Sequence, residues 1–164
     1  AQYVQCAKLL SYPTLSEKFI KSLASKIKKK IKKIDIVLSP AIGGIIIGYE
    51  IGKLLGKETI FCERVNKKFT LRRGFSIKKN SKVLIVEDVI TTGGSVKEVM
   101  DLVSYYKANV IGIGILVDRS NQKVKLHENQ FSLVNLDVKS YNEDEIPESL
   151  AKIPIKKPGS RYLK

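Results

Sequence analysis

The chain has 164 residues and a formal net charge of +14, and this length predicts a single domain. Apolar residues make up 43%, enough for a packed core, and no apolar run reaches the ~18 residues that a membrane-spanning helix needs. The two cysteines are too few for a disulfide framework and indicate a reducing cytoplasm, and the single histidine excludes a histidine-rich metal centre.

The first predicted element is an amphipathic helix at residues 15–34, capped by Thr14 or Ser16. Its apolar stripe consists of Leu15, Phe19, Leu23, Ile27 and Ile31. The same region carries the densest lysine run, at residues 26–33. That run favours a solvated helix face. The alternative is a phosphate-binding surface for nucleic acid, which is less favoured because no aromatic side chain interleaves with the lysines.

Strands and helices then alternate along the chain. We predict strands at 36–38, 59–62, 83–86, 110–117 and 131–138, helices at 43–55 and after Gly93 and Gly94, and a short hairpin within the basic stretch 63–73. This alternation predicts an α/β domain with a mostly parallel central sheet flanked by helices.

Residues 83–95 carry the strongest indication of chemistry. A buried strand leads into Glu87 and Asp88, then into a Thr-Thr-Gly-Gly-Ser loop at 91–95, and then into a helix. Ligands of open α/β sheets lie beyond the carboxyl ends of the strands, and backbone N–H groups of such a loop can bind a phosphate. The acids can accept hydrogen bonds from sugar hydroxyls. The pattern predicts a site for a phosphorylated ribose; the alternative is an ordinary strand-to-helix connection.

This segment resembles the phosphoribosyl pyrophosphate (PRPP) signature of the type I phosphoribosyltransferases. Further segments resemble the orotate branch of that family, namely 3–7, 39–45, 61–64, 71–75, 117–120 and 157–161. The resemblance implies a Rossmann-like fold, with a core of about 15–140 and a small hood from 1–14 and 141–164. It also implies transfer of 5-phosphoribosyl from PRPP to N1 of orotate, giving orotidine 5′-phosphate and pyrophosphate in pyrimidine (UMP) biosynthesis.

The resemblance further implies roles for individual residues. The PRPP site would comprise Glu87, Asp88, Val89, Ile90, Thr91, Thr92, Gly93, Gly94 and Ser95. The pyrophosphate loop would comprise Ala41, Ile42, Gly43 and Gly44. Thr91 and Arg119 would contact orotate, because a guanidinium can pair with its carboxylate in a bidentate fork.

The basic stretch after Glu63 resembles the mobile loop that reaches the partner's active site in the family's homodimer. The implied catalytic residues are Arg64, Lys67, Lys68 and Asp88; the cations would stabilise departing pyrophosphate. Either lysine could serve, and a purely structural hairpin is the alternative. Mg²⁺ would be carried by PRPP without a direct protein ligand.

Family members usually have a further helix and strand before the segment 3–7, including a lysine near orotate, and we expect that part to be missing from these residues. Two other functions compete. One is a phosphoribosyltransferase for a purine base. The other is a PRPP-sensing regulator that binds nucleic acid, which the +14 charge supports and the intact acid pair opposes; nucleic acid is therefore not an expected partner.

Overall fold

The computed structural model describes residues 5–137, 141 and 145–153. The strands are β1 (Ile36–Pro40), β2 (Glu58–Val65), β3 (Lys68–Leu71), β4 (Lys82–Ile90), β5 (Asn109–Asp118) and β6 (Gln130–Asn135). The helices are α1 (Cys6–Leu10), α2 (Pro13–Lys30), α3 (Gly43–Leu55), α4 (Gly94–Tyr105) and α5 (Glu148–Ala151).

The strands form one sheet in the order β3-β2-β1-β4-β5-β6. Every neighbouring pair is parallel except β2 and β3, which form an antiparallel hairpin. The predicted α/β fold with a mostly parallel sheet is therefore confirmed, and so is the short hairpin in the basic stretch.

Helices cover both faces of the sheet. On one face, α2 and α3 pack on the even-numbered side chains Leu84 and Val86 of β4. On the other face, α4 packs through Val96, Val99 and Val103. Burying each such side chain stabilises the fold by roughly 1.5–3 kcal/mol.

Helix α2 differs from its prediction. It begins at Pro13 after an N-cap at Tyr12 and ends at Lys30, so the predicted bounds of 15–34 and the predicted caps are wrong. Its buried residues are Ser16, Ile20, Leu23, Ala24 and Ile27. A strict spacing of four drifts by about 40° per step around a helix of 3.6 residues per turn. The buried face therefore mixes spacings of three and four, and Leu15 is left 51% exposed.

Strand β4 is longer than predicted because it pairs with β5 along its whole length. Glu87 lies opposite Ile115, and Ile90 lies opposite Asp118. Glu87 and Asp88 therefore lie among the last residues of a paired strand and not after it. The segments 3–4 and 157–161, and the parts of the predicted hood at 1–4, 142–144 and 154–164, lie outside the described residues. Among the described residues, no helix is long and apolar enough to cross a membrane.

Candidate active site

The site lies in the crevice beyond the carboxyl ends of β1 and β4. These strands are parallel neighbours, but β1 leads into α3 on one face and β4 leads into α4 on the other. After β1 the chain adds strands towards one edge of the sheet, and after β4 it adds them towards the other edge. Open α/β sheets bind their ligands at the point between two such strands. Helices α3 and α4 therefore both begin at this crevice, and the N-terminus of each favours an anion.

The two acids of β4 are held differently. Glu87 is only 6% exposed, whereas Asp88 is half-buried. The backbone N–H of Asp88 donates to Glu87 Oε1 at 3.0 Å. Burial raises the pKa of Glu87 well above 4.5, and the Asp88 side chain raises it further, while the Asp88 N–H lowers it. Asp88 is thus the acid available to a ligand, and Glu87 lies beneath it.

The predicted pyrophosphate loop lies directly against these acids. A Cβ atom on Gly43 would lie 2.6 Å from Asp88 Oδ2, and one on Gly44 would lie 3.2 Å from Glu87 Oε1. A side chain at position 43 would therefore require the Asp88 carboxylate to move. The Ala41 N–H donates to the Cys62 carbonyl at 2.8 Å, which ties the loop to β2. The structure therefore joins the loop and the acid pair in one site.

The predicted 5′-phosphate loop forms the other wall of the crevice. Thr91 and Thr92 are exposed, and Gly93 is the N-cap of α4 with φ of +77°. A Cβ atom there would lie 2.9 Å from Val124 Cγ1, so both the backbone conformation and the packing require glycine. Within the part of the chain that the structure describes, no side chain caps α4, which leaves its first N–H groups suited to an anion.

Arg119 follows β5 and lies beside this loop. Its backbone N–H donates to the Ile90 carbonyl at 2.9 Å, which brings it next to Thr91, the other residue predicted to contact orotate. Asp118 is 1% exposed and accepts hydrogen bonds from the N–H and the hydroxyl of Ser120 at 2.7 and 2.6 Å. This turn holds the backbone at Arg119 in place.

The predicted catalytic cations meet at the tip of the β2–β3 hairpin. Its two-residue turn, Asn66–Lys67, has φ of 48° and 68°, the combination found in tight hairpins. Arg64 pairs with Glu98 of α4 at 2.5 and 3.0 Å. Lys67 and Lys68 are exposed, and no ion pair of theirs occurs within the described part of the chain.

Sequence reasoning missed Cys6 and Asp118. The Cys6 thiol donates to the Asp88 carbonyl at 3.6 Å. Burial and the charges of Asp88 and Glu87 raise the pKa of Cys6 to about 12, although the charge of Arg119 opposes this. The thiol is thus protonated at neutral pH. No sequence signal indicates a contact across 82 positions, but Asp-x-Ser after a strand is typical of a turn and could have identified Asp118.

Comparison with known proteins identifies the family. The phosphoribosyl transferase domain matches residues 12–151. An orotate phosphoribosyltransferase of Chlorobium phaeobacteroides (strain BS1) is 51% identical over 161 residues, which cover 98% of this chain and 82% of that relative. The chain belongs to the orotate phosphoribosyltransferase family. The predicted resemblance is confirmed.

Solved structures share the fold of this family member. An adenine phosphoribosyltransferase from Thermoanaerobacter pseudethanolicus superposes with a TM-score of 0.69 at 18% identity, covering 83% of this chain and 89% of that one. An orotate phosphoribosyltransferase from Aeropyrum pernix superposes with a TM-score of 0.66 at 19% identity, covering 82% and 78%. The type I phosphoribosyltransferase fold is therefore confirmed.

Proposed function

We propose that this orotate phosphoribosyltransferase family member transfers the 5-phosphoribosyl group from PRPP to N1 of orotate, giving orotidine 5′-phosphate and pyrophosphate in pyrimidine biosynthesis. The observation that carries the proposal is the contact between Gly43 and the Asp88 carboxylate. It brings the Asp88 carboxylate to the start of α3, and Asp88 precedes the first residue of α4 by six positions. This supports the proposal because PRPP carries a diol between two phosphate groups.

Each part of PRPP has a matching partner in the crevice. The N-terminus of α4, at 91–95, binds the 5′-phosphate. Asp88 accepts hydrogen bonds from the ribose hydroxyls, with Glu87 supporting it from below. The N-terminus of α3, at 41–44, binds the pyrophosphate through backbone N–H groups. Arg119 and Thr91 then bind orotate, with the guanidinium on its carboxylate.

The chemical step forms one bond and breaks another. N1 of orotate attacks the anomeric carbon of ribose while the bond from that carbon to the pyrophosphate oxygen breaks. Positive charge develops on the ribose and negative charge on the departing pyrophosphate. Asp88 stabilises the ribose, and the cations at the hairpin tip, Lys67 and Lys68, stabilise the leaving group. Exclusion of water by the hairpin protects PRPP from hydrolysis.

The donor atoms of the crevice suit Mg²⁺ carried by PRPP. Mg²⁺ prefers oxygen ligands and retains several waters. Within the described residues no group of three or more histidine, cysteine or acidic side chains is placed to hold a metal. The oxygens of PRPP would supply most of the ligands, and the half-buried carboxylate of Asp88 could supply one more. When bound, Mg²⁺ would neutralise part of the pyrophosphate charge.

We also propose a homodimer that acts in the cytoplasm. Ile42, the N-cap residue of α3, is 82% exposed, and Ile46 and Tyr49 on α3 are 50% and 61% exposed, at spacings that place the three side chains together. A second copy covering this face would lie beside the pyrophosphate loop, from which α3 starts. Cys6 and Cys62 are both free, as suits a reducing compartment.

Light scattering should give a dimer mass, and Ile46→Glu should shift it towards the monomer; a monomeric wild type would contradict the proposal.

The decisive assay follows the absorbance of orotate with PRPP and Mg²⁺. We expect orotate to be consumed, and adenine or hypoxanthine to give no nucleotide; the reverse pattern would show a purine-base enzyme. A titration with duplex DNA at about 0.15 M salt tests the regulator alternative. Tight binding at that salt, together with no orotate consumption, would favour the regulator.

A further inference from the structure

The tip of the β2–β3 hairpin extends beyond the sheet that supports it. Pairing between β1 and β2 ends at Pro40 and Cys62, whereas β2 and β3 continue to pair as far as Val65 and Lys68. Residues 63–68 therefore overhang the end of β1. Strand pairing alone leaves such a two-stranded extension weakly fixed.

Arg64 is the side chain that ties this tip to the rest of the domain. Its two terminal nitrogens donate to both carboxylate oxygens of Glu98, at 2.5 and 3.0 Å. Nη1 also donates to the Lys67 carbonyl at 2.8 Å. The guanidinium carbon lies 4.1 Å from the centre of the Phe69 ring, and Phe69 packs in the core cluster that contains α4. One side chain thus connects the turn, the hairpin and α4.

This geometry leaves Arg64 poorly suited to act on the substrate. Its charge is already paired with Glu98, one of its flat faces is stacked on Phe69, and three of its five N–H donors are already used. Helix α4 is also the helix whose N-terminus forms the candidate 5′-phosphate loop, and Glu98 lies four residues after Gly94.

We infer that Glu98 is a positioning residue for this enzyme: by binding Arg64 in a bidentate fork, it holds the hairpin tip against α4 and so places Lys67 and Lys68 for the chemical step. Arg64 is then a positioning residue too, and not a catalytic cation. The inference rests on the proposed function, because the step it serves is pyrophosphate departure.

The test compares Glu98→Ala with Glu17→Gln. Glu17 is also an exposed acid in a surface ion pair, with Lys21 on α2, and is a matched control. Glu98 is itself 44% exposed, so its loss should leave the core intact. We expect Glu98→Ala to lower kcat about tenfold by misplacing the tip, with KM for orotate and PRPP within about twofold of wild type. Glu17→Gln should match wild type.

Arg64→Lys distinguishes positioning from direct catalysis. Lysine keeps the charge but cannot form the two-oxygen fork, so we expect the same loss of kcat as in Glu98→Ala. A fully active Arg64→Lys enzyme, or an unchanged kcat in Glu98→Ala, would overturn the inference.

Limited trypsin digestion supplies a readout that needs no turnover. Mass spectrometry should show cleavage after Lys67 and Lys68 several times faster in Glu98→Ala than in wild type or in Glu17→Gln, because the released tip opens to the protease. Equal cleavage rates would refute the restraint on the tip. A wild-type protein that consumes no orotate would instead refute the proposed function, whatever the digestion shows.

Discussion

The crevice at the ends of β1 and β4 and the tip of the β2–β3 hairpin carry opposite charges and are supported in different ways. In the crevice, Glu87 is buried and bonded to the Asp88 N–H, while Gly43 packs against the Asp88 carboxylate. At the tip, the lysines are exposed and the strands have left the sheet. The groups that would hold the ribose are therefore preorganised by the core, whereas those that would act on the leaving group lie on a tip that is held by Phe69 and by surface ion pairs.

The largest expected effect lies at the tip. Lys67→Gln together with Lys68→Gln should lower kcat by about 10² or more, because this removes both cations that we propose to stabilise the departing pyrophosphate. The affinity for PRPP should change much less. Initial rates with saturating substrates measure the effect. Lys78→Gln with Lys79→Gln is the control, since these exposed lysines lie in the connection before β4; an equal loss there would point to a general charge effect.

The next largest effect should come from the acid of the crevice. Asp88→Asn removes the charge that strengthens hydrogen bonds to the ribose hydroxyls, and we expect PRPP to bind about thirtyfold more weakly, or about 2 kcal/mol. Titration calorimetry measures the affinity, and circular dichroism should remain native. Asp101→Asn, an exposed acid further along α4, should bind PRPP as wild type does. Unchanged affinity in Asp88→Asn would remove this residue from the site.

A smaller effect should follow from adding a side-chain atom between Gly43 and the Asp88 carboxylate. In Gly43→Ala the new Cβ would lie 2.6 Å from Asp88 Oδ2, so the carboxylate must move, and PRPP affinity should fall about tenfold. Gly56→Ala is the matched control, because its Cβ would meet nothing within 4 Å. Its φ of +64° should still cost about 1 kcal/mol of folding stability. Equal affinities in the two variants would contradict the close contact.

The smallest effect concerns stability and pH. Burial first, and then Asp88, raises the pKa of folded Glu87 well above 4.5, so the unfolded chain loses this proton at lower pH than the folded protein does. Folding stability should therefore fall as pH rises from about 4.5 through the folded pKa. Glu87→Gln should remove that fall and gain on the order of 1 kcal/mol at pH 8 relative to wild type. Urea unfolding of both proteins at pH 4.5 and pH 8 measures it; parallel pH profiles would show that Glu87 is not the source.

Much of the site could be predicted because it is local in sequence. The strand, the acids, the glycine loop and helix α4 follow one another within residues 83–105, and each depends on its neighbours in the chain. The hairpin was likewise predictable, because apolar and polar residues alternate within the basic stretch 63–73. The face of α2 was not, because apolar residues occupy more of that helix than the core can cover, and packing against α3 decides which of them are buried.

The sequence alone determined the order of strands and helices, the family and the segment that we propose binds the phosphorylated sugar, since hydrophobic period, glycine positions and short motifs act over a few residues. Only the tertiary structure decided that Gly43 contacts Asp88, that the Cys6 thiol donates to the Asp88 carbonyl and that Arg64 pairs with Glu98. Those contacts join residues that are 34 to 82 positions apart. They arise because the sheet brings the carboxyl ends of its strands together, and no local preference of the chain encodes which side chains then meet.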